Sequence, residues 1–209
     1  MKKLFIKICK FLGYEILDQN SFSSPTLGKE LDEELSILNK KSIILPLGEV
    51  KIRKKVNSIL IIFRMNTDIE IWDQNRKRLF ELPKIEYSKR ALNSLIKSVK
   101  FLKDKYSTIN VKIIIVDDNS KPENLSQFKD LISQNNIELI NLKYSKYKNK
   151  ILKQKNKETF ANLASLLQCF EIGKEKGENL IYFVEDDYLH VEEMLHEMVL
   201  SYERIGSQI

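Results

Sequence analysis

The chain has 209 residues, 43% of them hydrophobic and 31% charged, which fits one soluble globular domain, or one and a half, and excludes a disordered or collagen-like chain. Its formal net charge of +6 invites a nucleic-acid reading, but 29 of the 35 basic residues are lysine and no arginine-rich, aromatic-interleaved stretch occurs, so no nucleic-acid partner is expected. No window nears the roughly 18 apolar residues of a membrane span, and the two cysteines, Cys9 and Cys169, have no metal-ligand spacing and form no disulfide framework, which points to a reducing cytoplasm.

Lys2 to Leu17 (KKLFIKICKFLGYEIL) predicts a short basic amphipathic helix, with Lys3, Lys7 and Lys10 on one stripe and Leu4, Phe5, Ile8, Phe11 and Leu12 over the rest. Lys7 and Lys10 interrupt its apolar stretch and no small-residue cleavage site follows, unlike a signal peptide. Such a helix serves either as a peripheral foot on the anionic inner face of the cell membrane or as a terminal helix packed on the domain. Asn20 to Pro25 reads as a polar linker and Lys29 to Asn39 as a short helix. Ser42 to Ile52 (SIILPLGEVKI) reads as two short strands around Pro46 and Gly48. Residues 1–55 are thus expected to form an extension, and residues 56–209 the main domain.

From Ser58 the pattern becomes regular. SILIIF (Ser58 to Phe63) and VKIIIV (Val111 to Val116) are near-continuous apolar runs, as strands buried on both faces require. Between them Ser88 to Tyr106 carries Leu92, Leu95, Ile96, Val99 and Leu102 at helical spacing. A helix over Glu123 to Ser133, a strand over Ile137 to Leu142 and a lysine-rich loop over Lys143 to Lys157 follow. A helix over Thr159 to Lys176, with Phe160, Leu163, Leu166, Leu167 and Phe170 inward, stops at Gly177. The strand LIYFV (Leu180 to Val184) and a helix over Glu192 to Arg204 close the chain. Alternating strands and helices at these spacings demand crossover connections, so the prediction is an α/β doubly wound fold with a mostly parallel sheet.

In such sheets ligands bind beyond the carboxyl ends of the strands. There the sequence places Arg64-Met65-Asn66 after the first strand, Asp117-Asp118-Asn119-Ser120 after the second, and Glu185-Asp186-Asp187-Tyr188 after the last. Five carboxylates on one rim repel one another unless a cation or hydrogen-bond donors offset them. Mg²⁺ and Mn²⁺ take oxygen ligands, commonly one or two carboxylates with substrate phosphates. Ser120 and Glu123 have the spacing of a capping box, which leaves Asp117 and Asp118 surplus to helix capping. His190 is read as a cap or surface group, and His196 and Trp72 as structural.

These segments, SILIIFRMN (Ser58 to Asn66), IIIVDDNS (Ile113 to Ser120) and NLIYFVEDDY (Asn179 to Tyr188), resemble the GT-A glycosyltransferases of family 2, in which a VVDDGS-like motif precedes a DxD-like motif. The resemblance covers roughly residues 56–200 and implies a Rossmann-like nucleotide-sugar-binding domain. It implies that Asp118 meets the base of a nucleotide-diphosphate sugar, a UDP-sugar by preference, with Asp117 in support and Asn66, Arg64 and Asp186 around the donor. Asp187 would ligate Mn²⁺ or Mg²⁺ bridging the diphosphate, with Glu185 toward the ribose or the metal. Glu185 in the first place of DxD departs from the family pattern, as do Phe63 and Arg64 in place of small hydroxyl residues. The implied activity is metal-assisted sugar transfer to a saccharide or glycolipid acceptor in surface polysaccharide synthesis, in the cytoplasm or on the inner face of the membrane. A general base is not identifiable, because the family keeps it in an acceptor half and only 22 residues follow Asp187. The chain therefore reads as a donor half lacking its C-terminal acceptor half. Two other readings stand beside it: a non-catalytic nucleotide-sugar-binding or assembly module, and, disfavoured by the spacing of the two acidic clusters, a receiver-like signalling domain.

Overall fold

The computed structural model describes residues 2–13, 41–44, 48–68, 82–152 and 156–207. The predicted linker over Asn20 to Pro25, the helix over Lys29 to Asn39, and Trp72 lie outside the described residues. The chain divides into two compact units, residues 1–55 with 202–209, and residues 56–201.

In the first unit the amphipathic segment forms α1 (Lys2–Phe11), and the turn that ends it places Gly13 at φ +86°, a conformation only glycine adopts without strain. The predicted strand pair is an antiparallel hairpin, β1 (Lys41–Ile44) with β2 (Gly48–Lys51), in which Ile44 faces Gly48.

The second unit holds β3 (Ser58–Met65), α2 (Lys84–Lys105), β4 (Asn110–Asp117), α3 (Pro122–Ser126), α4 (Lys129–Gln134) and β5 (Glu138–Asn141). It continues with α5 (Tyr144–Tyr147), α6 (Lys157–Lys176) and β6 (Leu180–Glu185), and α7 (Met194–Gly206) begins in it. The four strands make one parallel sheet in the order β5-β4-β3-β6. The chain moves outward from β3 to β5 and then returns, through α6, to the other side of β3.

Both faces of β3 and β4 are buried, which explains their unbroken apolar runs. Ile59, Ile61, Phe63 and Met65 of β3, with Ile113 and Ile115 of β4, pack under α2, Phe128, and Leu195 and Val199 of α7. Leu60, Ile62, Ile114 and Val116 face the opposite way, onto Cys169 and Ile172 of α6. Helices thus cover both faces, and the doubly wound α/β fold predicted from the sequence is the fold observed.

Three expectations need correction. The helix expected from Ser88 starts at Lys84, because Pro83 supplies the entry turn and Ser88 is buried inside the helix rather than capping it. The helix expected over Glu123 to Ser133 breaks in two where Phe128, fully buried, turns into the core. In α6 the buried face carries Ala164, Ser165, Gln168, Cys169, Ile172 and Gly173, while Leu163 and Phe170 are exposed. Small residues let this helix sit close to the sheet, and its large apolar side chains are left on the flanks. Gly177 ends α6 for reasons of space rather than backbone sign: a Cβ there would lie 2.5 Å from Ile181 Cδ1 and 2.6 Å from the carbonyl oxygen of Gly173.

Candidate functional site

The parallel sheet brings the ends of β3, β4 and β6 to one rim, and the strand order reverses between β3 and β6. There Arg64 stands in register with Glu185 on one side and Val116 on the other, and Met65 stands in register with Asp117. Side chains alternate between faces along a strand, so neighbours in sequence part company at this rim. Glu185 turns toward α6, where Arg64 pairs with it and also donates to the Asn162 side chain at 2.5 Å. Asp186 turns toward α2: its Oδ1 lies 2.7 Å from Lys84 Nζ, and its Oδ2 accepts from the Ser88 hydroxyl at 2.5 Å and the Asn66 N–H at 3.3 Å. Asp187 is exposed and has no hydrogen bond or ion pair from a described residue.

The β4 acids are equally well occupied. Asp118 is almost fully buried and accepts from Asn66 Nδ2 at 3.1 Å and from the Tyr144 hydroxyl. Burial first, and then the bond to Asp118, push the Tyr144 phenol up to about 12, so it stays a donor. Asp117 Oδ2 accepts the Ser120 N–H at 2.9 Å, while Oδ1 is buried with no hydrogen-bond partner among the described residues. Burial raises the Asp117 pKa, and the bonds from Ser120 only partly counter it. The expected capping box is absent: Ser120 Oγ accepts the Thr67 N–H at 3.0 Å, and α3 has no side-chain cap. Asp117 is therefore no surplus acid, since it folds the β4 loop back on itself. Asp68 completes the tie between the β3 and β4 loops by accepting from the Lys121 N–H at 2.7 Å and from Asn124 at 2.9 Å.

Of the five rim carboxylates singled out in the sequence, four are thus offset by this chain's own donors. Sequence reasoning missed three of those donors, Lys84, Ser88 and Tyr144, because none stands beside an acidic motif in the sequence. The lysine-rich loop is also less available than its composition suggests. Lys146 and Lys150 each lie 2.5 Å from the Glu171 carboxylate and hold it down to about 2. His190 packs edge-on to Tyr182, whose hydroxyl lies 3.1 Å from Nε2, and its backbone N–H donates to Ser94 Oγ. His196 stacks on Tyr106 at 5.5 Å, as a structural side chain would.

Beside Arg64 and Glu185 a cleft of about 390 Å³ opens between α6 and β6, walled by Ile62, Leu166, Cys169, Phe170, Phe183 and Val184, with Tyr188 at the rim. No sequence motif marked it; its only sign is that Phe183 alternates with the inward Tyr182 and Val184.

Mg²⁺ or Mn²⁺ commonly takes one or two carboxylates and completes its shell with water and substrate phosphates. Asp187 fits such a single attachment, and Glu185 is a second oxygen donor when Arg64 yields it. Asp186 does not fit, since both its oxygens are taken. Among the described residues no group of three His, Cys, Asp or Glu side chains is placed to hold an ion. The described residues thus offer two oxygen donors at most, Asp187 and Glu185, and no cage made by protein alone.

No protein-family model and no curated protein matches this sequence. A crystal structure of S. aureus TarS 1-349 is similar at 15% identity and a TM-score of 0.38, over 70% of this chain and 32% of that one. A crystal structure of S. aureus TarS is similar at 17% identity and a TM-score of 0.35, over 68% of this chain and 19% of that one. Likeness this slight has no bearing on the chemistry of the present chain, which spans a minor part of both proteins.

Proposed function

We propose that this chain binds a nucleotide-diphosphate sugar at the carboxyl rim of its parallel sheet, as the donor-binding part of a family 2-like glycosyltransferase acting on a saccharide or glycolipid acceptor. One observation carries the reading: β3 and β6 meet where the strand order reverses, and the rim there presents Arg64, Asn66, Glu185 and Asp187. Open α/β sheets take their ligands at such a point. Asp118 and Asn66 would meet the base and ribose, with Asp117 behind them and Asp186 fixing the loop that carries its two neighbours.

Mn²⁺ or Mg²⁺, held by Asp187 and Glu185, would supply Lewis-acid neutralisation of the departing diphosphate. Arg64 adds a fixed positive charge beside the same position. Asn162 accepts from that guanidinium and would keep it in place when Glu185 turns to the metal. Tyr144 keeps the Asp118 carboxylate oriented by donating to one of its oxygens.

Calorimetric titration of UDP, GDP and CDP, with and without Mn²⁺, into wild type and Asp187→Ala tests this. The expected result is Mn²⁺-dependent binding of one nucleotide, UDP by preference, lost in the variant. A folded protein that binds none of the three sinks the proposal. The second reading, a binding or assembly module without transfer, draws on the four rim carboxylates already satisfied internally. Slow hydrolysis of the bound donor separates the two, since a module that only binds leaves the sugar intact.

A further inference from the structure

We propose that α1 is a membrane foot, lying in the surface of an anionic bilayer with its apolar face among the lipid chains and its lysines on lipid phosphates. This rests on α1 alone and is independent of the nucleotide site. The helix leaves large apolar groups in water: Leu4 is 65% exposed, Phe5 61%, Ile8 50% and Phe11 91%, and Leu12, one residue beyond, is 63%. At 3.6 residues per turn, Leu4, Ile8 and Phe11 fall on one line with Phe5 and Leu12 beside it, so the five form a single apolar arc. Contiguous exposed apolar surface of this kind marks a place that something else covers.

Charge identifies the cover. Lys2, Lys3, Lys7 and Lys10 are the charged residues of this helix, and it contains no acid. The positions of Lys3, Lys7 and Lys10 lie together on the arc opposite the Phe5 and Leu12 edge. A second copy of α1 laid on the first would cover the apolar arc and leave the lysines without an anion, whereas an anionic lipid surface answers both halves of the helix at once. Ten residues span about 15 Å, half the thickness of a bilayer core, so the helix lies in the interface and does not cross it.

Flotation of the full 209-residue chain with lipid vesicles tests the proposal. Phosphatidylcholine vesicles are compared with vesicles in which about a third of the lipid is phosphatidylglycerol, at about 0.1 M and about 0.5 M salt. The expected result is at least about tenfold stronger partition to the anionic vesicles at low salt, much reduced at high salt. The Lys3→Glu/Lys7→Glu variant should fall to the level seen with phosphatidylcholine. The Phe5→Ser/Ile8→Ser/Phe11→Ser variant should lose about tenfold or more while its circular dichroism is unchanged. Phe11→Ser alone, at the most exposed position, guards against loss of fold and should still weaken partition measurably. Folded wild type that stays with the aqueous phase, or partition indifferent to the serine substitutions, overturns the proposal. Sedimentation showing a dimer that those substitutions dissolve overturns it in favour of a second copy.

Discussion

Asp186 and Asp187 are neighbours in sequence with opposite fates, and replacing each with alanine separates them. Asp186→Ala strands the Lys84 ammonium, whose side chain is 11% exposed, and also removes the acceptor of the Ser88 hydroxyl and the Asn66 N–H. Breaking a buried pair by deleting one partner costs about 3–5 kcal/mol. Lys84 has a flexible stem that can carry its charge outward, so the lower end applies, about 3 kcal/mol. In a chain of this size that lowers the melting temperature by about 6–12 °C. Asp187→Ala, at an exposed side chain with no partner among the described residues, should stay within about 0.5 kcal/mol of wild type. Urea denaturation measures both. Adding Lys84→Met to Asp186→Ala should recover at least about 1 kcal/mol, because the stranded charge is gone. Equal stabilities of Asp186→Ala and Asp187→Ala, or a double variant no better than Asp186→Ala, would refute the reasoning.

Gly177→Ala forces a methyl group against Ile181 and the Gly173 carbonyl, and should cost about 1–3 kcal/mol in the same urea assay. Cys169 is 3% exposed and burial pushes its thiol up to about 12, so in the native protein a thiol reagent at mild alkaline pH should react with Cys9 and reach Cys169 only after denaturation. Burial lowers the His190 pKa, so the folded state prefers the neutral ring and the unfolded chain takes the proton first as pH falls through about 6.5. Stability contributed there is present above that pH and declines below it; His190→Gln should flatten the slope of stability between about pH 7 and pH 5.5.

The sheet was legible because burial on two faces leaves an unmistakable trace. Ile59 to Phe63 and Ile113 to Val116 contain no polar residue, and only a strand covered on both sides tolerates that. The inward face of α2 was legible too: Leu92, Leu95, Ile96, Val99 and Leu102 are all buried, as their spacing required. Helix α6 was misjudged because its contact with the sheet depends on small size, at Ala164, Ser165 and Gly173, and hydrophobic periodicity does not register smallness. The rim acids were easy to find, but their partners lie in distant elements. Lys84 stands 102 residues from Asp186, and Tyr144 26 residues from Asp118.

Those partners also explain how the loop after β6 keeps its shape. Three serines of α2 face it: Ser88 binds the Asp186 carboxylate, Ser94 accepts the N–H of His190, and Ser98 accepts the N–H of Leu195 at 3.0 Å. A serine inside a helix contributes little to the helix itself, and its hydroxyl is free to satisfy a loop that has no ladder of its own. Asp186 is the first of these attachments, and it lies inside because the two residues flanking it lie outside. In an acid-x-acid motif at a strand end, the middle side chain points to the core by the same alternation that sends its neighbours to solvent. The core therefore sets where the middle acid goes, and the acids left open to a ligand at the rim are Glu185 and Asp187. Whether Glu185 answers such a ligand depends on Arg64, which already holds it. On the proposed reading an incoming diphosphate would offer that guanidinium a second anion, so that ligand binding and release of Glu185 would be one exchange of partners rather than two independent events.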